Sequence, residues 1–181
     1  MPYDIYLLTY PLPPNRFNGS KAHWGIYIPN HPTPNLPQPT QETEDAVHHI
    51  GKVIHVTGTP FTGYGREFKR NYHLASTGRG WKKYPLAVVD DKHVSIRSGD
   101  DDDDGGKFSV DVTPRDELER QAMRVDPPGP SKEPLNPAVG KRCQEWIRDY
   151  VSWLIERKIL TDSAIQVLDD VKAIEQQQQQ N

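Results

Sequence analysis

The chain has 181 residues, of which 34% are apolar and 17 are prolines, and its net charge is −3. That length suits one domain with a real core, and the low apolar share with many prolines predicts a compact body carrying long loops. A near-neutral charge without a basic stripe interleaved with aromatics speaks against nucleic acid as a partner, and no apolar run approaches the ~20 residues that span a bilayer.

Met1 to Leu8 has neither a basic n-region nor a long apolar h-region, so it does not read as a secretory signal. A single cysteine excludes an internal disulfide and a Cys-rich structural zinc site. Together these features lead us to expect a cytoplasmic protein in a reducing compartment, with no cofactor and no metal.

Asp4 to Tyr10 reads as a strand that stops at Pro11-Leu12-Pro13-Pro14. His23 to Ile28 is a second strand, followed by a proline-rich excursion over 29–43. Residues 44–50 suggest one helical turn, and Lys52 to Thr57 a third strand closed by Gly58-Thr59-Pro60. Glu67 to Leu74 reads as a fourth strand, with Leu86 to Val89 and His93 to Ile96 as further ones. The loop 98–106 carries five aspartates, which repel one another and resist packing; its spacing is not that of an EF-hand. Thr113-Pro114-Arg115-Asp116 predicts a helix start, with Leu118, Ala122 and Val125 at helical spacing. Asn136-Pro137 suggests another cap before a helical pattern to Ile159, and a last helix starts at Thr161 or Asp162. Strands first and helices last predict an α+β fold, an antiparallel sheet packed against C-terminal helices. We expect a single domain over 1–175 and a frayed polar tail over 176–181.

Three residues carry the chemistry. On the second and third strands, Trp24, Ile26 and Ile28 share one face, as do Ile54 and Val56, so His23 and His55 fall on the opposite parity. If the strands are neighbours, both imidazoles project from one side of the sheet, and Gly25 leaves room for something to lie there. Cys143, Ile147, Tyr150, Val151 and Leu154 form an apolar helix face that could supply it. Gly140 is a poor helix-interior residue, which places Cys143 in the first turn, where free N–H groups and the helix dipole favour a thiolate. A thiolate beside an imidazole is an activated nucleophile; a cysteine on an apolar helix face can equally be a small core residue. Elsewhere, His48-His49 reads as a solvated turn, Arg66, Lys69 and Arg70 as an exposed basic strand face, and Trp81, Trp146 and Trp153 as packing residues.

His23-Trp24-Gly25-Ile26-Tyr27-Ile28, Val53-Ile54-His55-Val56 and Arg142-Cys143-Gln144-Glu145-Trp146 resemble, in that order, three motifs of the lecithin:retinol acyltransferase-like family. That family is a circularly permuted branch of the papain-like thiol enzymes, related to the NlpC-type endopeptidases. Its motifs read His-Trp-Ala-Ile-Tyr-Val, Val-Val-His-Leu and Asn-Cys-Glu-His-Phe. The resemblance implies a permuted papain-like fold with Cys143 as nucleophile, His23 as general base and His55 as the residue that orients it, with Trp24 and Tyr27 near the substrate. It implies a soluble cysteine-dependent hydrolase or acyltransferase that cleaves an ester, thioester or amide through an acyl-enzyme, on a small molecule or a protein tail. Three departures stand out: the long gap between the histidines, Arg142 where the family has Asn, and Thr161 to Asn181 in place of a membrane-anchoring segment. Two alternatives stay open, a non-enzymatic protein-interaction module that keeps the fold, and an isopeptidase of the PPPDE type.

Overall fold

The computed structural model describes residues 1–12, 21–31, 49–95 and 107–180. Most of the proline-rich excursion, His48, and the acidic loop lie outside the described residues. Six strands, β1 (Tyr3–Tyr10), β2 (His23–Pro29), β3 (Ile50–Thr59), β4 (Gly63–His73), β5 (Lys82–Val89) and β6 (Ser109–Asp111), form one antiparallel sheet in the order β5-β1-β2-β3-β4-β6. Three helices follow: α1 (Glu117–Ala122), α2 (Cys143–Glu156) and α3 (Ser163–Gln179). The fold is α+β, an antiparallel sheet with its helices at the C-terminal end of the chain.

The two-residue period of the strands decides which face the helices cover. Trp24, Ile26 and Ile28 of β2, Ile54 and Val56 of β3 and Phe68 of β4 meet Trp146, Ile147, Tyr150, Val151 and Leu154 of α2 in the main core. Each large side chain buried there is worth about 1.5–3 kcal/mol. The opposite face holds a smaller cluster of Leu8, Tyr10, Tyr27, Val53 and Leu74, with Tyr72 and Trp81 packed against it. Trp146 and Trp153 are packing residues as expected, with their indole N–H groups bonded to the Val125 carbonyl and to Gln121.

Several boundaries differ from the sequence expectation. Residues 93–95 form no strand; Asp90 accepts the Lys92 N–H and turns the chain into a 3₁₀ turn over Asp91–His93. β5 begins at Lys82, and β6 was not anticipated because three residues are too few to show a period. α1 is capped by Asp116 rather than Thr113, the Asp116 carboxylate accepting the Glu119 N–H at 2.9 Å. α2 starts at Cys143, in line with the break expected at Gly140, which takes φ +84°, and not at the Asn136-Pro137 cap signal. The glutamine tract continues α3 to Gln179.

The supposed basic strand face is split by alternation. Arg66 donates to the carbonyls of Ala122 and Val125, and Arg70 is buried against Glu119 and Asp111; only Lys69, of opposite parity, faces away from α1. Buried Lys52 of β3 pairs with Asp116 and with Glu119 (3.2 Å), and Glu119 also takes Arg70 at 2.8 Å. This ion network ties α1 to β3 and β4.

Candidate active site

The Ile26–Ile54 and Tyr27–Val53 pairing brings His23 and His55 onto the face away from the helices. His23 Nε2 lies 2.8 Å from His55 Nδ1, and His55 Nε2 lies 3.1 Å from Glu67 Oε1. The expectation of imidazoles on one side of the sheet therefore holds. The space left by Gly25 is not open to a helix, however; a Cβ there would come within 3.0 Å of Val53 Cγ1 and 3.3 Å of His55 Cβ. Gly25 is the slot into which His55 fits. Glu67 was not singled out in the sequence, although the hairpin turn between Thr59 and Gly63 sets His55 opposite Glu67.

The relay has a direction. An ionised carboxylate only accepts, so His55 Nε2 carries the proton toward Glu67 and its Nδ1 is left with a lone pair. His23 Nε2–H then donates to that lone pair, and the remaining nitrogen of His23, Nδ1, is an unprotonated acceptor. Burial holds His23 down to about 3, with the His55 and Lys69 charges adding to the effect, so the ring is neutral near pH 7. Burial also lowers His55, against the hydrogen bond to Glu67. The bond from His55 holds the Glu67 carboxyl below its usual range.

Cys143 is the first residue of α2. The Glu145 carboxylate accepts the Arg142 N–H at 2.9 Å and fixes this helix start. The apolar face of α2 lies on Trp24, Ile26 and Ile28, opposite the histidines, so the expectation that the helix body covers the imidazole side is corrected. The reason is bulk: Trp24, Ile26 and Ile28 offer more apolar surface than His23 and Gly25. Only the tip of the helix reaches the corner where β2 begins. There the Trp24 backbone N–H, next in the chain after His23, points at the sulfur, as do the N–H groups of Gln144 and Cys143. The β2–β3 ladder stops at Ile26–Ile54, short of His23. Burial pushes the thiol up, the Trp24 N–H opposes this, and the Glu145 charge adds to it. The hydrogen bond of His23 runs to His55 rather than to the sulfur.

A cleft of about 450 Å³ opens beside His23 and His55, lined also by Tyr10, Thr57, Tyr64, Lys69, Tyr72 and Arg79. Tyr64 of this lining packs against the main core, as Cys143 does, and burial, with the Cys143 charge second, raises its phenol. Trp24 and Tyr27 are both buried, at 2% and 0% exposure, and neither lines this cleft. Trp24 instead donates to Glu175 at 2.8 Å. Among the described residues no cluster of three or more histidine, cysteine or acidic side chains is set to hold a metal ion.

A family model described as a family of unknown function (DUF6540) matches residues 5–161. No curated protein and no solved structure matches the chain.

Proposed function

We propose that this chain, which belongs to the DUF6540 family of unknown function, is a cysteine-dependent hydrolase or acyltransferase with a permuted papain-like arrangement. The reading rests above all on one observation, the Glu67–His55–His23 relay, whose polarity leaves a lone pair on His23 Nδ1, next in the chain to the Trp24 N–H that bonds the Cys143 sulfur. The order of the His-Trp strand, the second His strand and the Cys helix, shared with the acyltransferase-like family, supports it.

In this reading the Cys143 thiol gives its proton to His23 Nδ1 as the sulfur attacks the carbonyl carbon of an ester, thioester or amide. The C–S bond forms, and the carbonyl π electrons move onto oxygen. In this reading backbone N–H groups at the α2 terminus, including that of Cys143, receive that oxyanion. Collapse of the intermediate breaks the bond to the leaving group, which takes the proton back from His23 and leaves an acyl-cysteine. Water, or a second acceptor, then loses a proton to His23 as it bonds to the acyl carbon; the C–S bond breaks, and the sulfur takes the proton back from His23. His55 and Glu67 act as positioning residues: they fix the tautomer and stabilise the imidazolium that forms transiently.

A second reading is favoured by the raised thiol and by a sulfur bonded to backbone N–H groups rather than to His23. In it the fold is kept as a protein-interaction module, and Cys143 is a small helix residue. Alkylation by iodoacetamide at pH 7 separates the two. If His23 takes the thiol proton, His23→Gln slows alkylation of Cys143 by about tenfold or more, within the range of general-base assistance. An unchanged rate favours the interaction module.

A further inference from the structure

The far side of the cleft is cationic and hydroxyl-lined, and the relay does not use those groups. Lys69 Nζ lies 4.9 Å from the centre of the Tyr72 ring. The Tyr72 hydroxyl accepts from the Tyr10 hydroxyl at 3.0 Å, and the Tyr10 ring stacks on His23 with centroids 6.2 Å apart. Arg79 lines the same space, and its charge bears on Lys69, Tyr10 and His23 alike. Glu67, whose charge bears on Lys69, is bonded by His55. Two cations and two phenols thus surround a hollow adjoining the imidazole, on the face opposite the apolar core.

From this arrangement, and resting on the thiol-enzyme reading above, we propose that the substrate is an anionic acyl compound whose carboxylate or phosphate is held by Lys69 and Arg79 beside the tyrosine pair. The chemistry of the lining argues for this over a long apolar acyl chain. An apolar chain entering the hollow would desolvate the Lys69 ammonium and the Tyr72 hydroxyl without replacing the partners water gave them, an unfavourable exchange for each group. An oxyanion brings acceptors for the ammonium and for the Tyr72 O–H, and its bonds to an ammonium or guanidinium are of the stronger, charge-assisted kind. The anchor has a second effect. Lys69 and Arg79 are among the charges that oppose protonation of His23. An anion between them offsets those charges, so binding the right substrate makes His23 a better proton acceptor for the thiol. Substrate without the anion meets an imidazole that stays a poor base.

Mono(4-nitrophenyl) succinate and 4-nitrophenyl butyrate have acyl chains of equal length and differ in the terminal carboxylate. Acylation of Cys143, read as nitrophenolate release and as acyl adduct by mass spectrometry, is expected to have a kcat/KM at least about tenfold higher for the succinyl ester. Lys69→Gln with Arg79→Gln should bring the ratio toward one, while Lys132→Gln, an equal loss of charge on an exposed residue outside the cleft, should leave it unchanged. Equal rates for the two esters, or a preference for butyrate, would overturn the proposal even with Cys143 active. If neither ester acylates Cys143, the thiol reading falls, and the anion site is decided by calorimetry on Cys143→Ser. There, saturable binding of succinate or inorganic phosphate that disappears in Lys69→Gln/Arg79→Gln upholds the site, and the stronger of the two identifies carboxylate or phosphate as its ligand. No binding of either overturns it.

Discussion

Lys52→Met tests the energetics that hold the relay strands in place. Lys52 lies three residues before His55, and Arg70 three residues after Glu67, so the buried ion network brackets the relay on β3 and β4. Lys52, Asp116 and Glu119 are 4%, 3% and 0% exposed. Without the ammonium, Glu119 still has Arg70 and the Arg115 N–H. Asp116 keeps only the N–H groups of Ser95 (3.0 Å) and Glu119 (2.9 Å). Removing one partner of a buried pair costs about 3–5 kcal/mol. Because two amides still serve Asp116, the lower end applies, about 3 kcal/mol. That is a large part of the ~5–15 kcal/mol that holds a typical domain together. For a chain of this size it corresponds to a fall in Tm of about 6–12 °C. Urea unfolding at pH 7 of Lys52→Met, Asp116→Asn and the double variant reads it directly. Asn retains a cap oxygen for α1 and removes the stranded charge, so the double variant should be less destabilised than the sum of the singles by at least about 1 kcal/mol. A Lys52→Met variant within about 1 kcal/mol of the wild type, or strict additivity, would refute the reasoning.

Three further outcomes follow from the site. Glu67→Gln replaces a charge-assisted hydrogen bond with a neutral one on a side chain 28% exposed, and should slow reaction of Cys143 with iodoacetamide by about tenfold, equivalent to roughly 1.4 kcal/mol at the low end of such bonds; a rate equal to that of the wild type would remove Glu67 from the relay. Between pH 6.5 and about 3 the unfolded chain takes up a proton at His23 that the native ring refuses, so stability is full above that window and falls as pH descends through it. Urea midpoints should drop on acidification more steeply in the wild type than in His23→Gln, and parallel curves would contradict the buried neutral ring. Gly25→Ala drives a methyl against Val53 and His55, an overpacking worth about 1–3 kcal/mol, and should lower both the urea midpoint and the reactivity of Cys143; no change in either would show that the slot is looser than its contacts indicate.

The parts of this architecture that repeat along the chain were legible in the sequence. Alternation in Trp24-Ile26-Ile28 and Ile54-Val56 marked the core face of two adjacent strands, and the same alternation put His23 and His55 together on the other. Helical spacing from Cys143 to Leu154 marked the apolar face of α2. The face of the sheet that α2 chooses was not legible, because periodicity says which residues face together but not which of two sheet faces a distant helix will cover. Glu67 and Lys69 read as ordinary charged strand residues until the β3–β4 register set Glu67 against His55. The reading of Arg66 and Arg70 as exposed failed for a related reason. Their buried partners, Glu119 and the carbonyls of α1 and the turn after it, come from more than forty residues further along the chain.

Transfer of an acyl group onto Cys143 is the step on which the account depends. Rapid mixing of the protein with an excess of mono(4-nitrophenyl) succinate should release a burst of nitrophenolate equal to the protein concentration, with a matching adduct on Cys143, and His23→Gln should remove the burst while the fold is retained. Release without a burst, or a burst of equal rate in His23→Gln, would contradict it.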